Sequence, residues 1–230
     1  MLLLAYATMQ QLVQGLHAFR SGYFATHQQL FRQLAEAGQK PETLFITCCD
    51  SRVVPNLITQ AAPGELFIIR NIGNIVPGVD LPGGTSAAIE YALEVLNVQN
   101  IIVCGHTQCG AMQAVLDPAS VEHLPNVRRW IARADRVRQT ILERYSHING
   151  DARVTAAVEE NVLVQLENLR DFPCVASRLE RGLIYLSGWV YHIGRGEVYD
   201  YDPEQGEYTL LAGDDQRAKS EHGVVGVSAT

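Results

Sequence analysis

Two stretches, Leu44-Phe45-Ile46-Thr47-Cys48-Cys49-Asp50-Ser51-Arg52 and Asn100-Ile101-Ile102-Val103-Cys104-Gly105-His106-Thr107-Gln108-Cys109-Gly110, share one design. Each opens with a short apolar run rich in β-branched residues, which reads as a buried strand. Each then stops in small, polar residues able to bind a metal. An open parallel sheet gathers its ligands just beyond the carboxyl ends of its strands. Two such strands offer a thiolate and a carboxylate from one tip, and an imidazole and a thiolate from the other. Cys48, Asp50, His106 and Cys109 make a full tetrahedral set for zinc.

Outward from these tips, Leu66–Arg70 reads as another strand. The Gly- and Pro-punctuated segment Asn71–Gly84 reads as a long functional loop. Gly84-Thr85-Ser86 then starts a helix over Ala87–Leu96, with Ser86 as its cap, before the strand Asn100–Cys104. Strand, helix and strand make a βαβ unit, with parallel pairing and a right-handed crossover. Further helices are expected over Ala111–Leu116, Val127–Tyr145 and residues 152–170. The second of these carries Arg128, Arg129, Arg133, Arg136 and Arg138. Because acidic residues dominate the chain, that arginine face reads as solvated or subunit-contacting in preference to phosphate-binding.

Toward the N-terminus, Leu12, Leu16, Phe19, Tyr23, Leu30, Phe31 and Leu34 recur at helical spacing. They predict two helices hinged near Ser21-Gly22 or Ala25-Thr26. Residues 1–8 read as a disordered or misassigned extension ahead of the better pattern that starts at Met9. Toward the C-terminus, Leu183–Ile193, Glu197–Tyr201 and Tyr208–Leu211 are separated by hairpin signals, which predicts appended antiparallel strands. From Ala212 onward the small and polar residues predict a flexible tail. The expected fold is a single α/β domain: a mostly parallel four- to five-stranded sheet flanked by helices, with a helical arm at residues 1–38, a zinc domain at 39–211 and a tail at 212–230.

Bulk properties narrow the function. With 230 residues, 47% hydrophobic and 19% charged, the chain is of ordinary globular composition. A net charge of −7 without a Lys/Arg-rich stripe argues against a nucleic-acid surface. The apolar opening Met1–Ala7 is too short to span a membrane and lacks a basic leader region. Five cysteines, two of them adjacent, do not make a disulfide framework and point to a reducing, cytoplasmic setting. Cys104 and Cys174 read as small buried hydrophobes, and Cys49 as a packing neighbour pointing away from Cys48. No Gly-x-Gly-x-x-Gly or Walker loop follows a strand, and neither Cys-x-x-Cys nor Gly-x-Ser-x-Gly occurs. Singly, His106 reads as a hydrogen-bonded loop residue and Asp50-Ser51 as a turn or cap. Their conjunction at two strand ends of one sheet favours a metal site.

These motifs carry a specific resemblance. Cys48-x-Asp50-x-Arg52 and His106-x-x-Cys109, joined by Arg70-Asn71-x-Gly73-Asn74 and Gly84-Thr85-x-Ala87-Ala88-Ile89-Glu90-Tyr91, resemble the β-class carbonic anhydrase family. The likeness runs from about Met9 to about Leu211 and includes Gly188-Trp189-Val190-Tyr191. Gly15-Leu16-x-x-Phe19-Arg20-x-Gly22-Tyr23-Phe24 and Asn56–Gln60 are most similar to cyanobacterial members. The resemblance implies zinc held by Cys48, His106 and Cys109, with Asp50 as fourth ligand only in a closed state. It implies a catalytic Asp50–Arg52 pair and a plant-like CO2 pocket from Gln39, Phe67 and Tyr91, formed at a dimer interface. The implied reaction is reversible hydration of CO2 to bicarbonate and a proton through zinc-bound hydroxide. Implied partners are CO2 and bicarbonate and a second copy or more of the chain, embraced by the N-terminal helices, with neither nucleic acid nor a membrane span. Some cyanobacterial members work inside carboxysomes, which adds a carboxysome scaffold protein as a candidate partner and that compartment as a candidate location.

Cys49, Ile72, Thr107, Ala111 and Ser187 depart from residues common in the family, and none of them removes a ligand. Two other functions fit the same scaffold. One is hydrolysis of carbon disulfide or carbonyl sulfide. The other is a non-catalytic zinc-stabilised scaffold partner, in which Asp50 would stay on the metal at every pH.

Overall fold

Six strands build one sheet in the order β2-β1-β3-β4-β5-β6 in the computed structural model of the protein, which describes residues 2–211 with side chains from residue 8 onward. They are β1 (Thr43–Cys48), β2 (Leu66–Asn71), β3 (Asn100–His106), β4 (Tyr185–His192), β5 (Glu197–Asp202) and β6 (Glu207–Leu210). The first four pair in parallel, and β5 and β6 continue antiparallel. The α/β fold with a mostly parallel sheet and C-terminal antiparallel strands therefore stands, with two differences. The sheet has six strands instead of four or five. The run at Leu183–Ile193 supplies a fourth parallel strand instead of opening the antiparallel set. A long helical crossover returns the chain to the amino ends of the strands before β4, so direction reverses only at the tight turn after His192.

Two compact units divide the chain, Met1–Lys40 and Pro41–Thr230. The first holds α1 (Leu2–Ser21), α2 (Tyr23–Thr26) and α3 (Gln28–Ala37), with breaks at Gly22 and His27. Helix thus extends back to Leu2, into the segment expected to be disordered. Phe19, Phe24 and Phe31 gather with centroids 5.1–6.0 Å apart and tie these helices together. The tail expected to be flexible, residues 212–230, lies outside the described residues.

In the second unit, α4 (Pro55–Thr59) follows β1. α5 (Gly84–Glu90) follows the long loop and runs into a π turn at Tyr91–Val95. Ser86 is not its cap: it lies within the first turn, where its hydroxyl donates to Leu81 O at 3.0 Å. After β3 come α6 (Gly110–Leu116), α7 (Pro125–Ile131), α8 (Asp135–Arg144), α9 (Gly150–Arg170) and α10 (Pro173–Glu180). The single helix expected over Val127–Tyr145 is two helices joined by a 3-10 turn at Ala132–Ala134. The buried residues there, Ile131, Ala134 and Val137, recur every three positions, the spacing that a three-residue winding aligns on one face. Among the described residues no helix is long and apolar enough to cross a membrane.

Leu44, Phe45, Ile46, Ile101 and Val103 on β1 and β3 are fully buried, as expected for parallel strands covered on both faces. α9 lies so close to β3 and β4 that only glycine fits beneath it. A Cβ on Gly105 would sit 2.7 Å from Val158 Cγ1, and one on Gly188 would sit 2.8 Å from Leu166 Cδ1. Gly188→Ala is therefore an overpacking substitution and should lower unfolding free energy by about 1–3 kcal/mol. Urea denaturation reads this directly, and an unchanged midpoint would show that α9 can move away without cost.

Candidate metal centre

The parallel register sets Thr47 beside Cys104, which brings the ends of β1 and β3 to one level. Cys48 is the last residue of β1 and His106 the last of β3. Cys109 sits at the N-cap of α6, reached through a sharp turn in which Gln108 has φ 57°. The ligand atoms of Cys48, His106 and Cys109 all lie within 4.8 Å of one another, and all three residues are buried.

The imidazole is oriented by its own strand end. Its Nδ1 lies 3.0 Å from Thr107 O, so Nδ1–H donates to that carbonyl and the lone pair falls on Nε2. Nε2 is buried and has no hydrogen-bond partner. A buried, unpaired acceptor nitrogen beside two sulfurs fits a soft divalent cation such as zinc. The thiols agree. A hydrogen bond from Cys109 pulls Cys48 down to about 4, against the opposing effect of burial, with help from the Gly73 N–H. The same contact, together with burial, pushes Cys109 up. The pair divides one proton between two sulfurs, and a divalent cation would release it.

Asp50, the fourth member of the set expected from the sequence, is turned toward Arg52. Arg52 Nε donates to Asp50 Oδ1 at 2.9 Å and an Nη donates to Oδ2 at 2.8 Å. The Arg52 backbone N–H adds a third bond to Oδ1 at 3.0 Å. The guanidinium also donates to Gln108 O at 3.2 Å, linking the turn after β1 to the turn after β3. Asp50 Oδ2 stands 3.8 Å from His106 Nε2, at the edge of the donor triad. Arg70, quoted in the sequence only as part of a motif, has a definite task. It donates to Cys48 O at 3.1 Å and to Asp50 O at 2.7 Å, fastening the backbone on both sides of Cys49. A charged residue closing an otherwise apolar strand was the available signal.

Cys49 is exposed, not a packing neighbour. β1 ends at Cys48, so strand alternation no longer governs the next side chain, which opens outward beside Ile72 and Trp130. Cys174 is only partly buried and lines a groove, whereas Cys104 is buried as expected. Phe67 and Tyr91 pair with ring centroids 6.0 Å apart. Gln39 is exposed and belongs to the N-terminal unit. Thr107 accepts the Ile193 N–H at 3.2 Å, and Ser187 donates to Asp200 at 2.7 Å within the sheet.

A family model described as carbonic anhydrase matches residues 43–198, which contain this whole cluster. The chain belongs to the β-carbonic anhydrase family. It is 50% identical over 196 residues to a carbonic anhydrase of Synechocystis, covering 84% of this chain and 71% of that one. To a carbonic anhydrase of Pseudomonas aeruginosa it is 46% identical over 205 residues, 89% of this chain and 92% of that one. The solved β-carbonic anhydrase CcaA superposes with a TM-score of 0.87 at 48% identity, covering 90% and 93% of the two chains. A tetrameric β-carbonic anhydrase from the filamentous ascomycete Sordaria macrospora matches with a TM-score of 0.77 at 30% identity, covering 88% of this chain and 99% of that one. The protein is thus an enzyme of the carbonic anhydrase family with a Cys-His-Cys site able to take a metal.

Arg52 holds the Asp50 carboxyl well below the usual carboxylate range, with burial opposing and the His106 ring adding a smaller pull. A depressed pKa means that the pair contributes at every pH above the ordinary value of 3.8, and its contribution fades only as pH falls toward the lowered one. In carbon-13 NMR the Asp50 carboxyl should stay ionised down to about pH 3, and Arg52→Gln should return its midpoint to near 4. An ordinary midpoint in the unsubstituted protein would mean that the bidentate pair does not persist in solution.

Proposed function

We propose that the protein catalyses reversible hydration of CO2 to bicarbonate and a proton, with zinc held by Cys48, His106 and Cys109. The observation that carries this reading is the double grip of Arg52 on Asp50, which turns both carboxylate oxygens away from the ligand role while keeping them beside the triad. When bound, zinc would supply positive charge and a coordinated water of lowered pKa.

The chain's own residues supply the rest. Asp50 stays ionised across the working range, so near the triad it can only accept a hydrogen bond; it fixes one O–H of the attacking water and aims the remaining lone pair outward. Arg52 holds that carboxylate in one plane through two parallel N–H···O bonds, a geometry that lysine cannot reproduce. Phe67 and Tyr91 offer an apolar wall suited to a small linear molecule without charge. Asp50 does not titrate above about pH 4, so a rise of activity with pH between about 6.5 and 9 belongs to another group.

We further propose a homo-oligomer. α1 leaves Leu12 and Leu16 at 62% and 68% exposure, an apolar face that a neighbouring copy would cover. Leu12→Glu with Leu16→Glu should reduce the mass in light scattering, and an unchanged mass would place the contact elsewhere. Cytoplasmic location and a carboxysome scaffold partner remain part of the proposal on the strength of the cyanobacterial likeness.

Stopped-flow CO2 hydration on samples assayed for zinc tests the reaction. About one zinc per chain and activity rising with pH are expected. Asp50→Asn and Arg52→Ala should each keep zinc and lose about a hundredfold or more in kcat. Zinc lost together with activity in Arg52→Ala would assign Arg52 to the metal's retention instead. Turnover of carbonyl sulfide or carbon disulfide without turnover of CO2 would move the substrate to those molecules.

A further inference from the structure

The turn at Ile72–Asn74 is held more firmly than a connection requires. Gly73 at φ 76° and Asn74 at φ 46° both occupy the left-handed region, which a non-glycine residue adopts at a cost. Such a turn persists only where its surroundings hold it. On one side, Trp130 Nε1 donates to Ile72 O at 2.7 Å, and the Arg133 guanidinium lies 4.9 Å from the centroid of the Trp130 ring. On the other side, amides from α9 reach the same segment. Asn161 Nδ2 donates to Gly73 O at 3.0 Å, Gln165 Oε1 accepts the Val76 N–H at 2.8 Å, and Asn168 Nδ2 donates to Val76 O at 2.9 Å. The amides also steady one another, since Gln165 Nε2 donates to Asn161 Oδ1 at 2.9 Å.

Asn161 and Gln165 are fully buried. Buried amides cost desolvation that apolar side chains avoid, so stability of the helix alone does not call for them. What the held turn delivers is one bond to the candidate centre, Gly73 N–H to Cys48 Sγ at 3.4 Å. The space is equally tight there: a Cβ on Gly73 would meet Ala111 Cβ at 3.0 Å.

We infer that Trp130 and the Asn161–Gln165 pair are positioning residues that clamp this turn from both sides, keep Gly73 N–H on the Cys48 sulfur, and so set its strength as a metal donor. The inference rests on the reading of Cys48, His106 and Cys109 as metal ligands. Hydrogen bonds to ligand atoms tune and orient them, and their loss typically costs about 10–100-fold in metal affinity. A thiolate freed of its hydrogen bond gives up charge more readily, so a sulfur-to-metal charge-transfer band moves to longer wavelength.

Cobalt(II) loaded into the full chain reports that band. Three variants separate the clamp from plain stability. Trp130→Phe keeps the ring and removes the N–H, Asn161→Leu removes the inner donor, and Ile141→Val trims the core on α8. The first two should shift the band to longer wavelength and lose about 10–100-fold in cobalt affinity against a chromophoric chelator. Ile141→Val should lower the melting temperature and leave band and affinity in place. An unmoved band and affinity in Trp130→Phe, whatever Asn161→Leu does, overturns the clamp. An unsubstituted chain that takes up no cobalt overturns the metal reading and the clamp with it, and that result appears before any variant is compared.

Discussion

The parallel pairing of β1 with β3 is the constraint on which everything else rests. Thr47 stands beside Cys104, so the two strands end together and deliver Cys48 and His106 to one place from positions far apart in the chain. A shift of one residue would send each side chain to the opposite face of the sheet. The register is secured by burial of Leu44, Ile46, Ile101 and Val103, and by the Thr47 hydroxyl, which donates to Cys104 O at 2.8 Å. The apolar core and the polar site are thus one structure: the strands that build the hydrophobic interior also aim the donors.

At the strand ends, arginine does the work that regular secondary structure no longer can. Arg70 ties the backbone after β1 down to Cys48 and Asp50, and Arg52 bridges from Asp50 to Gln108 in the other turn. The two guanidiniums act on different targets, one on carbonyl oxygens and one on a carboxylate. Both depend on several N–H groups arranged in a plane, which a flexible ammonium does not offer. Exposed ion pairs usually contribute little, but a bidentate pair with a backbone N–H behind it is geometrically specific, and specificity of direction is what a water-orienting carboxylate needs.

Much of this was legible in the residues. The short β-branched runs announced β1 and β3, and the abrupt change to Cys, Asp and His announced where chemistry gathers. Other features were hidden for physical reasons. The parallel direction of β4 depends on the path of a long crossover, and a run such as Tyr185–His192 looks the same in either direction. The 3-10 turn within Val127–Tyr145 arises from three-residue burial spacing, which an average helical pattern conceals. A serine near a helix start can bond backward to a preceding carbonyl as well as cap, and Ser86 does the former. The outward turn of Cys49 follows from the strand stopping one residue earlier, and strand ends are the least certain feature of any pattern.

The amides of α9 show the limit most clearly. Val154, Val158, Val162, Leu166 and Leu169 mark one face of an amphipathic helix, and at 3.6 residues per turn Asn161, Gln165 and Asn168 fall along one edge of that same face. Asn161 and Gln165 are buried because the loop after β2 covers that edge of α9. That loop has many backbone groups and few regular partners, and groups so placed must find hydrogen bonds within the protein. Amides at i, i+4 and i+7 meet that need along one stripe of a helix, each offering both a donor and an acceptor. Hydrophobic periodicity counts only apolar residues, so a buried edge made of amides does not register in it. Here that edge holds the turn that reaches Cys48, which links the longest helix of the α/β unit to the candidate metal centre through the Asn161 side chain and the backbone of Gly73.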